Sequence, residues 1–506
     1  MRKFWKASVW VFVLLLLAVP VCGGQPSSVQ LTILHINDLH GHLLPYVDKN
    51  VSETKQLGGV ARMAKMIDDE RSKNPNGSLL LAAGDMFQGT PISNVFRGES
   101  VITVMNHLKF DAMSIGNHEF DWGLSTLERL AGAASFPFLA ANIQDEQGRG
   151  LPLVKPYVIL TRENLKIAVI GVTTPDTAYI TKPDHVSELI FRRPSTVLPQ
   201  LIEAVKAGGA HLIVLLSHLG LDADRETAES ISGIDVIVGG HSHTALGNPL
   251  RVKETIIVQA GAYGAYLGVL QLKIDPSTHK IVDFTAENEL KTVLTDPGDP
   301  VDGQVAAIVQ GFDDKIRSEF ARVVGEAAVD LIRSRNSESN VGDLICDALR
   351  EASGADIALQ NGGGIRTDIP KGKITMEQVY TLLPFDNVLV VMDLKGSQIR
   401  RILEQNANSE HAILQVSGMN VQYDMTRPVG SRITNVHVSG MALEPGKTYR
   451  VASNDFLAAG GDQYSTFKDG KNVVYGSTLR EIVAAYLTRH SPVHPEVQKR
   501  VVFLNQ

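Results

Sequence analysis

The 506-residue chain has almost no cysteine, with Cys22 and Cys346 the two that occur. So few thiols exclude a disulfide-stapled scaffold and any cysteine-built zinc module, both of which need clustered thiols. Strong charge of one sign is also missing. A formal net charge of −7 argues against a protein that coats nucleic acid, because polyanion binding wants a basic face. Small phosphorylated ligands remain compatible, since local arginines and metal ions set the field inside a cleft. Internal repeats and low-complexity tracts are lacking. The apolar run Val9–Val19 falls short of the ~20 residues a membrane-spanning helix needs. What is present is an ordinary globular composition, 44% hydrophobic and 20% charged, on a chain too long for one core. Two large domains are expected.

The N-terminus has the three parts of an export signal. Arg2, Lys3 and Lys6 form a basic stretch, Val9–Val19 an apolar core, and Val21–Gly24 offers small residues for cleavage. Residues 1–24 are therefore expected to be a signal peptide, with the product periplasmic or extracellular and without a stable membrane span. An uncleaved anchor helix is the alternative. Lipid attachment at Cys22 fits poorly because Val21 precedes it, and cleavage after Gly23 or Gly24 would leave Cys346 as the sole cysteine. The closing stretch Ser491–Gln506 is polar, so a C-terminal lipid anchor is not expected.

Five apolar runs each lead to a residue that can bind a metal. They are Leu31–Ile36 before Asp38 and His40, Leu79–Ala83 before Asp85, Ala112–Ile115 before Asn117, Leu212–Leu216 before His218, and Val236–Val238 before His241 and His243. Short aliphatic runs bounded by Gly, Asn and Asp read as buried strands. Strands lying side by side would bring their C-terminal ends, and so these side chains, to one edge of a sheet. A set of Asp, Asn and His without thiolate suits Zn, Mn, Fe, Co or Mg. Seven candidates exceed what one ion needs. If Asp85 serves two ions, Asp38, His40 and His243 complete one shell and Asn117, His218 and His241 the other. Two ions roughly 3.5–4 Å apart would clamp the attacking and departing oxygens of a phosphoryl centre. Any one of these residues alone would more often be a strand-end side chain bonded to a carbonyl, or a turn or cap; His35, His42, His107 and His211 keep that plainer reading.

Further along, the turn-rich stretch Thr295–Pro300 breaks the composition, and Val305, Ile308, Val309, Phe312 and Ile316 follow at helical spacing. The expected organisation is a first domain over residues 29–290, a linker helix within 296–322, and a second domain over 323–506. In the second domain a strand-like Asp356–Gln360 runs into Asn361, three glycines, Ile365 and Arg366. Glycines let the backbone turn closely, and Asn and Arg can then offer donors to an anion, although such a stretch is more often only a turn.

The segments His35–His40, Gly84-Asp85, Gly116–Asp121, Ser217-His218 and Gly239–His243 resemble the successive motifs of the calcineurin-like metallophosphoesterases. More narrowly they resemble the 5′-nucleotidase family, which includes UDP-sugar hydrolases and animal ecto-5′-nucleotidases, over roughly residues 32–464. The resemblance implies a four-layer αββα sandwich followed by a second α/β nucleotide-binding domain joined by the linker helix. It implies two divalent metal ions, Zn, Mn or similar, and direct hydrolysis without a covalent intermediate. His118 would contact the phosphoryl oxygens or the leaving group, with Asp121 fixing its tautomer. Asn361 and Arg366 match the family's phosphate loop, and Arg335 aligns less closely with a further phosphate-gripping arginine. Phe385 and Phe456 match residues that sandwich a base, and Asp462 one that accepts from ribose hydroxyls. Small-molecule nucleotides, not nucleic acids, are the implied partners. The linker becomes a candidate hinge. The function expected is removal of phosphate from nucleoside 5′-monophosphates, extending to di- and triphosphates or UDP-sugars. A 2′,3′-cyclic-nucleotide phosphodiesterase with 3′-nucleotidase activity, a sulfur-ester hydrolase and a non-catalytic secreted nucleotide-binding protein are the alternatives.

Overall fold

A computed structural model describes residues 28–47, 55–285, 290–408 and 412–505. The expected leader and its cleavage region lie outside the described residues. No helix among the described residues is long and apolar enough to cross a membrane.

The first half is built on two sheets packed face to face. One runs Ile281–Phe284, Tyr266–Ile274, Val29–Ile36, Ser78–Ala82, Ala112–Ser114, Phe138–Leu139 and Val154–Lys155 in spatial order. The other runs Leu250–Val252, Thr255–Gln259, Val236–Gly239, Leu212–His218, Leu165–Thr173 and Tyr157–Arg162. Central strands in both pair in parallel and read as unbroken aliphatic runs because both their faces are buried. Alternate residues divide the work. Ile33, Leu81, Val169, Leu216 and Val238 meet between the sheets, while Leu34, Leu80 and Met113 face helices Val60–Lys73 and Glu99–Leu108. Ile170, Leu215 and Ile237 face the helices Pro194–Ala207 and Leu221–Ser230. The result is a four-layer αββα sandwich, as expected.

The expectation of a single sheet edge is corrected. Strands leading to Asp38, Asp85 and Asn117 belong to one sheet, and those leading to His218, His241 and His243 to the other. Apolar strands buried on both faces give no sign in sequence of which sheet they join. The two carboxyl edges lie together because the sheets are stacked with parallel strands pointing the same way.

Helix Gly303–Phe320 begins at Asp302, whose carboxylate accepts from the Gln304 and Val305 amides at 2.9 and 2.8 Å. It buries Val305, Val309, Ile316 and Phe320 against the first domain's helical layer, and Phe320 meets Tyr380 edge-on at 5.2 Å. The strand Leu290–Thr292 still pairs with Tyr266–Ile274. Beyond the helix, a five-stranded sheet runs Leu414–Ser417, Ile357–Asn361, Thr448–Asn454, Val388–Lys395 and Lys471–Thr478. Helices Asn340–Ser353 and Leu479–His490 cover one face, and Gly396–Asn406 with a four-stranded sheet covers the other. Asn361 sits at the carboxyl end of its strand, so the glycine-rich turn faces the first domain.

Candidate active site

Five of the seven expected metal ligands have left-handed backbone: Asp38, His40, Asp85, His241 and His243, with φ of 50°, 48°, 53°, 73° and 55°. A non-glycine residue held there costs about 1–3 kcal/mol and persists only where its surroundings over-determine it. The surroundings do so. Asp38 and His40 donate their amides to the Gly84 and Asp85 carbonyls, each at 3.0 Å. Buried Asn37 accepts from the Ala260 amide at 2.8 Å and donates to the Gly261 carbonyl and the Asp38 carboxylate at 2.6 and 2.7 Å. Buried Glu119 accepts from the amides of Asp85, Met86 and Gly116 at 2.9, 2.8 and 2.6 Å. Glycine is required at two neighbouring positions: a Cβ on Gly116 would stand 2.2 Å from Asp85 Oδ1, and one on Gly84 2.5 Å from His218 Nδ1.

The ligand atoms converge. His243 Nε2 is 3.3 Å from Asp38 Oδ1 and 3.2 Å from His40 Nε2, and His218 Nε2 is 3.0 Å from Asp85 Oδ2. Donor atoms of Asp38, His40 and His243 lie within 4.8 Å of one another, as do those of Asp85, His218 and His241. The opposite ring nitrogens of His40 and His218 bond the Gln88 and Ala83 carbonyls at 2.8 and 2.7 Å, which turns both Nε2 atoms inward. Asn117 Oδ1 is buried without a hydrogen-bond partner among the described residues, and His218 Nε2 meets the Asp85 carboxylate. An unpaired amide oxygen so placed, beside two buried carboxylates and converging imidazoles, fits divalent metal ions. The same groups also pair by charge. Burial raises the Asp85 carboxyl, yet His218 and His118 more than offset this and hold it well below the carboxylate range. Against its own burial, His218 is pushed up to about 10 by Asp85.

His118 lies beside this cluster. Its Nδ1 bonds Asp121 Oδ2 at 2.6 Å, its amide donates to Asp85 Oδ1 at 2.9 Å, and Thr181 Oγ1 donates to Asp121 Oδ1 at 3.0 Å. Burial lowers the His118 imidazole, but Asp121 and Asp85 together raise it above its ordinary value.

The second domain closes over these residues. Arg366 Nη2 comes to 3.4 Å from His40 Nε2, and its guanidinium lies 5.9 Å from the centre of the Phe385 ring. Phe385 in turn stacks on His118 at 5.6 Å and 30°. Asn361 Nδ2 donates to Asp462 Oδ2 at 3.0 Å, and Asn454 fixes the Asn361 amide oxygen at 3.0 Å. Phe456 packs so closely on Gly461 that a Cβ there would lie 2.4 Å from its ring. Arg335, Asn361, Arg366, Phe385, Phe456 and Asp462 line one cleft of about 970 Å³ with Asp85, Asn117, His118, Asp121, His241 and His243. Asp38, His40 and His218 sit beneath its floor, at 0, 2 and 0% exposure. All fifteen residues singled out in the sequence therefore meet at one place.

Others at this site were not singled out. Lys182 bridges to Asp455 at 3.0 Å and Arg97 to Asp386 at 3.2 Å, each across the domain boundary and each beside one of the two phenylalanines. Lone surface cations give no signal of a partner hundreds of residues away. Asn37 and Glu119 stand inside recognisable segments, as a polar residue at a buried strand end and a carboxylate within Gly116–Asp121.

A sandwich of this kind, with clustered Asp, Asn and His at its paired sheet edges, defines a metal-dependent phosphoester hydrolase. The profile of the calcineurin-like phosphoesterases matches residues 31–245, and that of the 5′-nucleotidase C-terminal domain matches residues 323–469. A snake venom 5′-nucleotidase of Crotalus adamanteus is 33% identical, with 97% of this chain and 92% of that protein covered. A 5′-nucleotidase of Homo sapiens is 32% identical, covering 94% and 91%. Among solved structures, a 5′-nucleotidase precursor from Thermus thermophilus superposes with a TM-score of 0.88 at 35% identity, covering 94% of this chain and all of that one. The chain belongs to the 5′-nucleotidase family of calcineurin-like metallophosphoesterases.

Proposed function

We propose that the protein is exported and removes phosphate from nucleoside 5′-monophosphates, with two divalent ions sharing Asp85. Asp38, His40 and His243 would hold one ion, and Asn117, His218 and His241 the other. Ions so held supply Lewis acidity and charge neutralisation at a phosphoryl centre. The chain's own groups do the rest. Arg366 and Arg335 offset charge on the phosphoryl oxygens, and Asn361 donates to them through its amide. His118, oriented by Asp121, holds a proton at Nε2 for a phosphoryl oxygen or the departing O5′. Phe385 and Phe456 stack on the base, and Asp462 accepts from ribose hydroxyls. Residues 1–24 direct export, and residues 296–322 link the two working domains.

The observation that carries this reading is that Arg366 and Phe385, from the second domain, reach His40 and His118 of the first. A ligand spanning the cleft would thus have its phosphate at the metal cluster and its base between aromatic rings. Purified protein is assayed for phosphate release from AMP, UMP, 3′-AMP, ATP, UDP-glucose and 2′,3′-cyclic AMP, with Mn or Zn and with EDTA. Metal-dependent release fastest from the 5′-monophosphates is expected. Preference for 3′ or cyclic substrates would replace this reading with the phosphodiesterase one, and no release from any of them would refute a nucleotidase.

A further inference from the structure

His241 and His243 lie in one tight loop, Gly240–Thr244, and both have left-handed backbone, with φ of 73° and 55°. Two such residues separated by one position make a conformation that this short segment does not hold unaided. A single buried side chain from the neighbouring strand spans it. Gln259 ends the strand Thr255–Gln259, opposite Gly239 in the parallel register, and is 0% exposed. Its Nε2 donates to the Gly240 carbonyl at 3.0 Å. Its Oε1 accepts from Ser242 Oγ at 2.8 Å and from the Thr244 amide at 2.6 Å. Each histidine therefore stands between two residues fixed by the same amide. Ser242 Oγ passes the constraint on by accepting from the Leu221 amide at 3.1 Å, at the start of helix Leu221–Ser230.

We propose that Gln259 is a positioning residue for the metal centre, holding His241 and His243 in their left-handed backbone so that both imidazoles are presented to the ions before metal arrives. The proposal rests on the reading of those histidines as ligands. Only an amide of this length satisfies the pattern. A carboxylate would face the Gly240 carbonyl without a proton to give, and an apolar side chain would leave the buried Gly240 carbonyl and the half-buried Thr244 amide without this partner. Because His241 and His243 complete different shells, loosening the loop weakens both sites together.

The test compares the full-length wild type with Gln259→Met, which removes all three bonds, and Gln259→Glu, which retains two acceptor contacts. Mn binding to the metal-stripped proteins is measured by calorimetry, and AMP turnover is followed against Mn concentration. Gln259→Met is expected to bind Mn about 10–100-fold more weakly at both sites. Its kcat should recover toward wild type as Mn is raised, with KM for AMP unchanged at saturating metal. Gln259→Glu keeps the fold if Gln259→Met does not, and should bind Mn more weakly than wild type under the same conditions. A variant less stable to heat but with wild-type Mn affinity would overturn the proposal and leave Gln259 as packing alone. A wild-type protein that binds no Mn would overturn the ligand reading itself.

Discussion

The two ion pairs that cross the domain boundary lend themselves to a quantitative test. Lys182→Met with Arg97→Met removes both cations while leaving the aspartates satisfied within their own domain. Asp455 still accepts from Asn387 and the Val388 amide at 2.9 and 3.2 Å, and Asp386 still meets Arg480 at 2.6 Å. The platforms bearing Phe456 and Phe385 are thus left intact; what is lost is the contact between domains and the place of the Arg97 guanidinium over the Trp122 ring, at 5.8 Å. Lys182 is 39% and Asp455 11% exposed, and Arg97 and Asp386 are 51% and 46% exposed, so solvent screens both pairs heavily. Discounted accordingly, each contributes about 0.2–1 kcal/mol and the two together about 1 kcal/mol. That changes the balance between apposed and separated domains by about fivefold, and the apparent affinity for a ligand touching both by at most that factor. Initial rates of phosphate release from AMP at low ionic strength should show KM raised up to about fivefold with kcat unchanged. The difference should vanish near 1 M salt, where the screening length is about 3 Å. An unchanged KM at low salt, or a difference that persists at high salt, would mean that these ion pairs do not hold the domains together.

Three other outcomes follow from the same geometry. Asp121→Asn keeps the shape beside His118 but loses the carboxylate that fixes its tautomer, and should lower kcat about 10²–10⁴-fold with little change in KM. Phe456→Ala should weaken AMP binding by about 1–3 kcal/mol, read as a rise in KM, while hydrolysis of p-nitrophenyl phosphate, which carries no nucleobase, stays near wild type. Chelation should abolish turnover and lower the melting temperature of the first domain, and Mn at 100 times its dissociation constant should restore about 2.7 kcal/mol for each of the two sites.

Much of the site was legible because its residues end apolar runs, and a run buried on both faces is visible without knowing its neighbours. Asp85 after Leu79–Ala83 and His218 after Leu212–Leu216 are of this kind. Pairing of strands into sheets is a long-range choice among equally apolar partners, which is why two sheets stand where one edge was expected. The helix after Asp302 was legible from the spacing of Val305, Val309 and Ile316, since helical periodicity is local. The supporting contacts were not. Gln259 ends the strand Thr255–Gln259, yet nothing local says that its amide spans a loop some fifteen residues earlier. Lys182 and Arg97 carry no local sign of Asp455 and Asp386, which folding brings beside them from the other domain.

One substrate is expected to bridge a dinuclear metal site on the first domain and an aromatic clamp on the second. Crystals grown with Mn and adenosine 5′-(α,β-methylene)diphosphate, measured at the manganese absorption edge, would show this bridging. Two anomalous peaks roughly 3.5–4 Å apart on either side of Asp85 are predicted, with the terminal phosphate beside Arg366 and adenine between Phe385 and Phe456. A single peak, or adenine bound away from both phenylalanines, would contradict it.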